Sequence, residues 1–198
     1  METGLAAGGV AVAVVGVLLT IYYAKKADEL NKKRKRLEWP DLQAAANDLG
    51  QRIKRDFQPS MIVTPGLTGA TFANLLVAEI GGQPPVLVGT RTWKADAHPP
   101  VPSDNSFLLE TKKWIVTIPR ASATYEEGYI LIVDDFVMSG DFLDSLKTEL
   151  ANAGVGPDRV RSASIVVTKV AIKNHKAPDY YWWIADDDDF FFPWGKAK

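Results

Sequence analysis

The chain has 198 residues, no cysteine, and 23 Lys and Arg against 24 Asp and Glu, for a net charge of −1. That length admits one ordinary domain with its own core, and the lack of cysteine excludes disulfides, thiolate zinc sites and cysteine nucleophiles. Nothing in so even a balance points to nucleic acid as the partner.

Charge is nevertheless distributed unevenly. Residues 5–24 carry none, and about 20 such residues is the length a helix needs to cross a bilayer. Lys25, Lys26, Lys32, Lys33, Arg34, Lys35 and Arg36 follow, against only Asp28 and Glu29, whereas Glu2 is the only charged side chain ahead of the stretch. The positive-inside rule keeps the basic flank in the cytoplasm. This predicts a single-pass helix over 1–24 in the cell membrane with its N-terminus outside, a basic juxtamembrane linker over 25–36, and a cytoplasmic domain over 37–198. A cleaved signal peptide would need its basic residues before the apolar run. Gly4, Gly8, Gly9, Ala13 and Gly16 would let two such helices approach closely, so a homo-oligomer is also an expectation. The run from Lys32 to Arg36 is expected to face anionic lipid rather than nucleic acid, at about 1 kcal/mol per charge near the surface.

Leu42, Ala45, Ala46, Leu49 and Ile53 share one face of an amphipathic helix that starts at Pro40-Asp41. MIVT (61–64) reads as a short buried strand, and Pro65, Gly66, Leu67, Thr68 and Gly69 as a glycine-rich turn. Phe72, Leu75, Leu76, Glu79 and Ile80 then ride a helix that stops at Gly81-Gly82. PVLVGTRT (85–92) is read as one strand and WIVTI (114–118) as the next. The polar, Pro-rich residues 93–113 between them are long for a plain link and suggest a lid or an ordered hairpin. Arg91, Lys94, Lys112 and Arg120 are candidates to reach phosphates from this region.

Residues 129–146, YILIVDDFVMSGDFLDSL, are the stretch around which the rest is organised. An apolar, β-branched run is followed by a tight turn, and Phe142, Leu143, Leu146 and Leu150 then fall at helical spacing. The strand brings Asp134 and Asp135 to its carboxyl end, where open α/β sheets place ligands. Met138, Ser139, Gly140, Asp141 and Phe142 form a turn whose N–H groups lead into a helix, a seat for phosphate. Acids for hydroxyls beside donors for an anion suit a sugar phosphate.

ASIVVTKV (163–170) is a further strand whose Lys169 either serves a ligand or snorkels from the strand end. In the tail, DYYWWIADDDDFFFPW, Tyr180 to Ile184 reads as a strand, Asp186 to Asp189 as an acidic turn, and Phe190 to Trp194 as a closing aromatic segment.

VDDFVMSGDF resembles the signature of the type I phosphoribosyltransferases, and the Pro193-Trp194 ending is similar to the C-terminal hood of their xanthine-guanine and hypoxanthine branch. The resemblance implies an α/β fold with a mainly parallel sheet flanked by helices, a C-terminal hood, and transfer between 5-phosphoribosyl 1-diphosphate and a purine-type base with Mg²⁺. It would give Asp134 and Asp135 the ribose hydroxyls and the metal, residues 138–142 the 5-phosphate, residues 65–69 the pyrophosphate, and Lys169, Asp189 and Phe190 the base. The chain departs from the pattern in three places. Met138 stands where an Asp often assists proton transfer, Leu67 leaves the pyrophosphate loop without a basic residue, and Asp189 falls at the base-stacking position, with Phe190 one place later. The alternative to an enzyme is a membrane-tethered module that senses nucleoside monophosphates or ribose phosphates.

Overall fold

The structure is a computed structural model that describes residue 19 and residues 35–96, 104–123 and 128–197. The expected helix over 1–24, residue 19 apart, and the linker over 25–34 lie outside the described residues. Among the described residues no helix is long and apolar enough to cross a membrane.

Five parallel strands form the centre, in the order β3 (Val86–Val88), β2 (Met61–Thr64), β7 (Ile130–Val137), β8 (Val160–Thr168) and β9 (Tyr180–Ala185). All eight residues of β7 are buried, as a strand covered on both faces requires. On one face Ile62, Leu131, Val133 and Ile165 pack with α1 (Trp39–Asp56) and α2 (Leu67–Ile80). On the other, Met61, Val63, Ile130 and Ile132 pack with α3 (Asp141–Asn152) and with an antiparallel sheet of order β4 (Thr90–Trp93), β6 (Trp114–Pro119), β5 (Ser106–Glu110). The helix faces follow the sequence periodicity: Leu42, Ala45, Ala46, Leu49 and Ile53 are all fully buried. At the start of α1 the Glu38 N–H donates to Asp41 Oδ2 at 2.8 Å, closing a cap from which the helix begins at Trp39, one residue ahead of the expected Pro40.

Three expectations are corrected and one is met. Residues 85–92 are two strands, because Gly89 donates its N–H to the Thr64 carbonyl at 2.8 Å and the chain then leaves the central sheet for the antiparallel one. The 93–113 connection contains β5, which pairs with β6 as the ordered hairpin, one of the two expectations there. β7 continues through the acid pair to Val137, so Asp134 and Asp135 sit within the strand. β8 ends at Thr168, whose Oγ1 accepts from Val170 N at 3.1 Å and from Ala171 N at 3.3 Å and so opens the short helix α4 (Lys169–Lys173).

The two ends of the described fold meet in a third sheet, where β1 (Lys35–Arg36) pairs in parallel with β10 (Phe190–Phe192), and β10 pairs with β11 (Gly195–Lys196). Phe190 is 1% exposed and makes edge contacts with Phe136, Trp183 and Phe192 at 5.1–5.3 Å. It is a core residue. Phe190→Ala is therefore expected to lower stability by about 3–5 kcal/mol, read as a fall in the urea midpoint with unchanged slope.

Candidate functional site

Adjacent residues of a strand send their side chains to opposite faces. Asp134 and Asp135, 4% and 6% exposed, accordingly find partners from different sheets. Arg91 of β4 donates from Nη2 to both oxygens of Asp134, at 2.8 and 3.0 Å, and the Asp135 N–H donates to Asp134 Oδ1 at 3.0 Å. Trp194, just after β10, donates from its indole Nε1 to Asp135 Oδ2 at 3.0 Å. Burial pushes the Asp134 carboxyl up, to about 8; the pull of Arg91 opposes this and the neighbouring Asp135 adds to it. Burial works against the charge on Arg91, but Asp134 and Asp135 together hold its guanidinium above the ordinary value. Two buried acids thus lean on one cation.

The expected phosphate turn follows directly. Gly140 adopts φ +80° as the cap of α3, and a Cβ there would lie 2.2 Å from the Lys176 carbonyl oxygen, so a side chain has neither the conformation nor the room. Thr168 donates its hydroxyl to the Met138 carbonyl and holds the turn to the end of β8. Ser139 donates its hydroxyl to Asp141 Oδ2 at 2.8 Å, and Lys176 bridges Asp141 and Asp144 at 2.9 and 3.0 Å. Those bonds hold the Asp141 carboxyl below its usual range. Both acids lie in the first turn of α3, where the helix dipole favours them.

A cavity of about 960 Å³ opens over this region. One wall is Asp134, Phe136 and residues 137–143; the facing wall is Arg91, Trp93, residues 111–114 and Val116; Asp188, Lys196 and Ala197 form a rim. Trp93 and Trp114 meet edge to face at 4.8 Å, and the Arg91 guanidinium lies 5.8 Å from the Trp114 ring centre.

The sequence-predicted residues divide accordingly. Asp134, Met138, Ser139, Gly140, Asp141 and Phe142 share the cavity with Arg91 and Lys112. Residues 65–69 do not line it but abut the acid pair: a Cβ on Gly69 would lie 2.9 Å from the Val133 carbonyl oxygen and 3.4 Å from Asp134 Cα. Asp135 turns to the opposite face. Lys169 is a solvent-facing residue of α4 paired with Asp186. Asp189 lies in the acidic turn, 3.6 Å from Lys196 Nζ, and Phe190 is in the core. Lys94 pairs with Glu110 at 2.9 Å, and Arg120 stacks 4.4 Å from the Phe107 ring centre. Sequence reasoning missed Trp194 as a partner of the acid pair and Trp93 and Trp114 as a cavity wall. The signal available was their aromatic character at strand ends.

The family model described as the phosphoribosyl transferase domain matches residues 36–196. Among solved structures the chain is similar to a purine phosphoribosyltransferase from Pyrococcus horikoshii, at 19% identity and TM-score 0.60, covering 82% of this chain and 94% of that one. It is similar to a xanthine-guanine-hypoxanthine phosphoribosyltransferase from Helicobacter pylori, at 16% and 0.58, covering 81% and 93%. It is also similar to the APRTase from Giardia lamblia complexed with 9-deazaadenine, at 15% and 0.54, covering 73% and 79%. At such identities the likeness is one of fold. A comparison with curated protein sequences finds no match.

Trp194→Phe keeps a ring beside Phe192 but leaves Asp135 Oδ2 without its donor. The expected loss is about 1–3 kcal/mol in equilibrium urea unfolding, the cost of an unsatisfied buried carboxylate oxygen.

Proposed function

Because the chain belongs to the phosphoribosyl transferase domain family, we propose that it transfers a phosphoribosyl group between 5-phosphoribosyl 1-diphosphate and a purine-type base. The observation that carries this reading is a cavity that brings the Asp134 carboxylate beside a glycine-containing turn at a helix N-terminus.

In this reading the N–H groups of residues 139–142 hold the 5-phosphate and Asp134 accepts from the ribose hydroxyls, while Asp135, directed to the opposite face, stays on the Trp194 indole and is not a ribose ligand. Residues 65–69, at the N-terminus of α2, direct backbone N–H groups at the diphosphate. The bond from C1 of the ribose to the diphosphate oxygen breaks, the electron pair leaves with pyrophosphate, and a base nitrogen bonds to C1 and gives up its proton. The protein contributes alignment and fixed charge, with no covalent nucleophile. Phe190 is buried and Lys169 faces solvent, so the base is left to Phe136 and the rim residues Asp188 and Lys196.

Mg²⁺ fits the donor set only as a substrate-borne ion. One cavity-lining carboxylate, Asp134, suits an ion that keeps water and substrate phosphate as its other ligands, and among the described residues no cluster of three or more His, Cys, Asp or Glu is placed to cage one. Asp134 would hold it, and its charge would ease departure of the diphosphate.

Calorimetric titration with 5-phosphoribosyl 1-diphosphate and with nucleoside monophosphates, each with and without Mg²⁺, tests the reading. Diphosphate binding strengthened by Mg²⁺ is expected. Turnover with a purine should fall on the order of 100-fold or more in Asp134→Asn/Asp135→Asn, with the circular dichroism unchanged. Monophosphate binding without diphosphate binding would replace transfer by nucleotide sensing.

The uncharged residues 5–24 and the basic residues after them support tethering of this domain to the cytoplasmic face of a membrane. On this reading the full chain sediments with membranes, and a chain beginning at Ala27 stays in the supernatant after ultracentrifugation. Co-sedimentation of the shortened chain would contradict a single N-terminal anchor.

A further inference from the structure

The proposed diphosphate loop, Pro65 to Gly69, contains no charged side chain, and Leu67 is 80% exposed at the start of α2. A departing diphosphate gathers negative charge, and backbone dipoles alone meet it incompletely. Arg91 lies next to this loop: a Cβ built on Gly66 would be 3.7 Å from Arg91 Cβ. Its guanidinium uses one nitrogen, Nη2, for both bonds to Asp134. Among the described residues its Nε and Nη1 have no hydrogen-bond partner, although the side chain is only 18% exposed and lines the cavity. A guanidinium has five N–H donors, so a cation tied by one nitrogen retains donors for an oxyanion.

We infer that Arg91 is the cation of the diphosphate site, held on Asp134 in the free protein and exchanged onto the diphosphate when ribose hydroxyls take Asp134. The inference rests on the transfer reading proposed above. In the free molecule Arg91 covers the carboxylate that the sugar needs. In the complex the hydroxyls replace it as donors to Asp134, and Arg91 exchanges one anion for another without leaving the cavity wall. Ligands that carry the sugar and 5-phosphate but no diphosphate give Arg91 no second anion and compete with it for Asp134. Arg91 therefore sets preference for the diphosphate over the monophosphate.

The test is titration of the full chain, wild type, Arg91→Gln and Arg91→Lys, with 5-phosphoribosyl 1-diphosphate and with ribose 5-phosphate, both with Mg²⁺. In Arg91→Gln the diphosphate Kd is expected to rise at least 10-fold, while the ribose 5-phosphate Kd stays within threefold or falls. Arg91→Lys, which keeps the charge, is expected to recover most of the diphosphate affinity. A Gln variant that weakens both ligands equally would make Arg91 a structural partner of Asp134 only and overturn the inference, as would unchanged diphosphate binding. If Arg91→Gln fails to fold, Arg91→Lys decides: its ratio of diphosphate to ribose 5-phosphate affinity should stay within threefold of wild type, and a larger fall overturns the inference. A wild-type protein that binds ribose 5-phosphate but not the diphosphate would overturn the transfer reading and this inference with it.

Discussion

Two neighbouring carboxyls in the middle of a buried parallel strand are the constraint on which the rest of the molecule depends. Removing either carboxylate from water costs several kcal/mol unless it is partnered, and the pleat prevents one group from serving both. The antiparallel sheet supplies Arg91 to one face and the C-terminal sheet supplies Trp194 to the other. The three sheets are therefore joined at a single dipeptide. The partners differ in kind: Asp134 receives a full positive charge, Asp135 a neutral indole N–H. Burial first, and then the neighbouring acid, push the Asp134 carboxyl up against the pull of Arg91, whose guanidinium the two acids hold above its ordinary value.

The turn proposed to seat phosphate, residues 138–142, is held by a different logic. Its backbone leans on Thr168 from β8 and on the chain at Lys176, and its own acid, Asp141, is occupied by Ser139 and Lys176. The carboxylates of this wall, Asp134 and Asp141, are thus both engaged internally in the free molecule. Such internal pairing keeps a charged cavity compatible with folding, and any ligand binds by exchanging partners as well as by filling space.

Much of this was legible in the sequence because it is local. The apolar face of α1, the run Ile130 to Val133 and the turn at Ser139-Gly140 all declare themselves within a few residues through periodicity or turn chemistry. What was not legible is long-range or turns on a single residue. Arg91 and Asp134 are 43 residues apart, and Trp194 and Asp135 are 59 apart; no spacing rule links them. Phe190 looks like a ligand-facing aromatic by position, but in a three-residue strand the period of two puts Phe190 and Phe192 inside and Phe191 half-out. Lys169 appears to end a strand until Thr168 caps a helix one residue earlier. β1 was hidden by composition, since Lys35-Arg36 carries the charge of a linker and forms a strand only because β10 offers its edge.

The pairing of β1 with β10 also bears on when the site can exist. Leu37 donates its N–H to the Phe191 carbonyl at 2.8 Å, and Asp135 waits for the indole of Trp194. Residues 190–196 are the last of this fold to leave the ribosome. Without them Asp135 lacks its indole donor and β1 lacks the strand it pairs with. The surroundings of the acid pair are therefore complete only when the two ends of the described fold have met, so β1 and β10 govern by their pairing a carboxyl that neither of them carries.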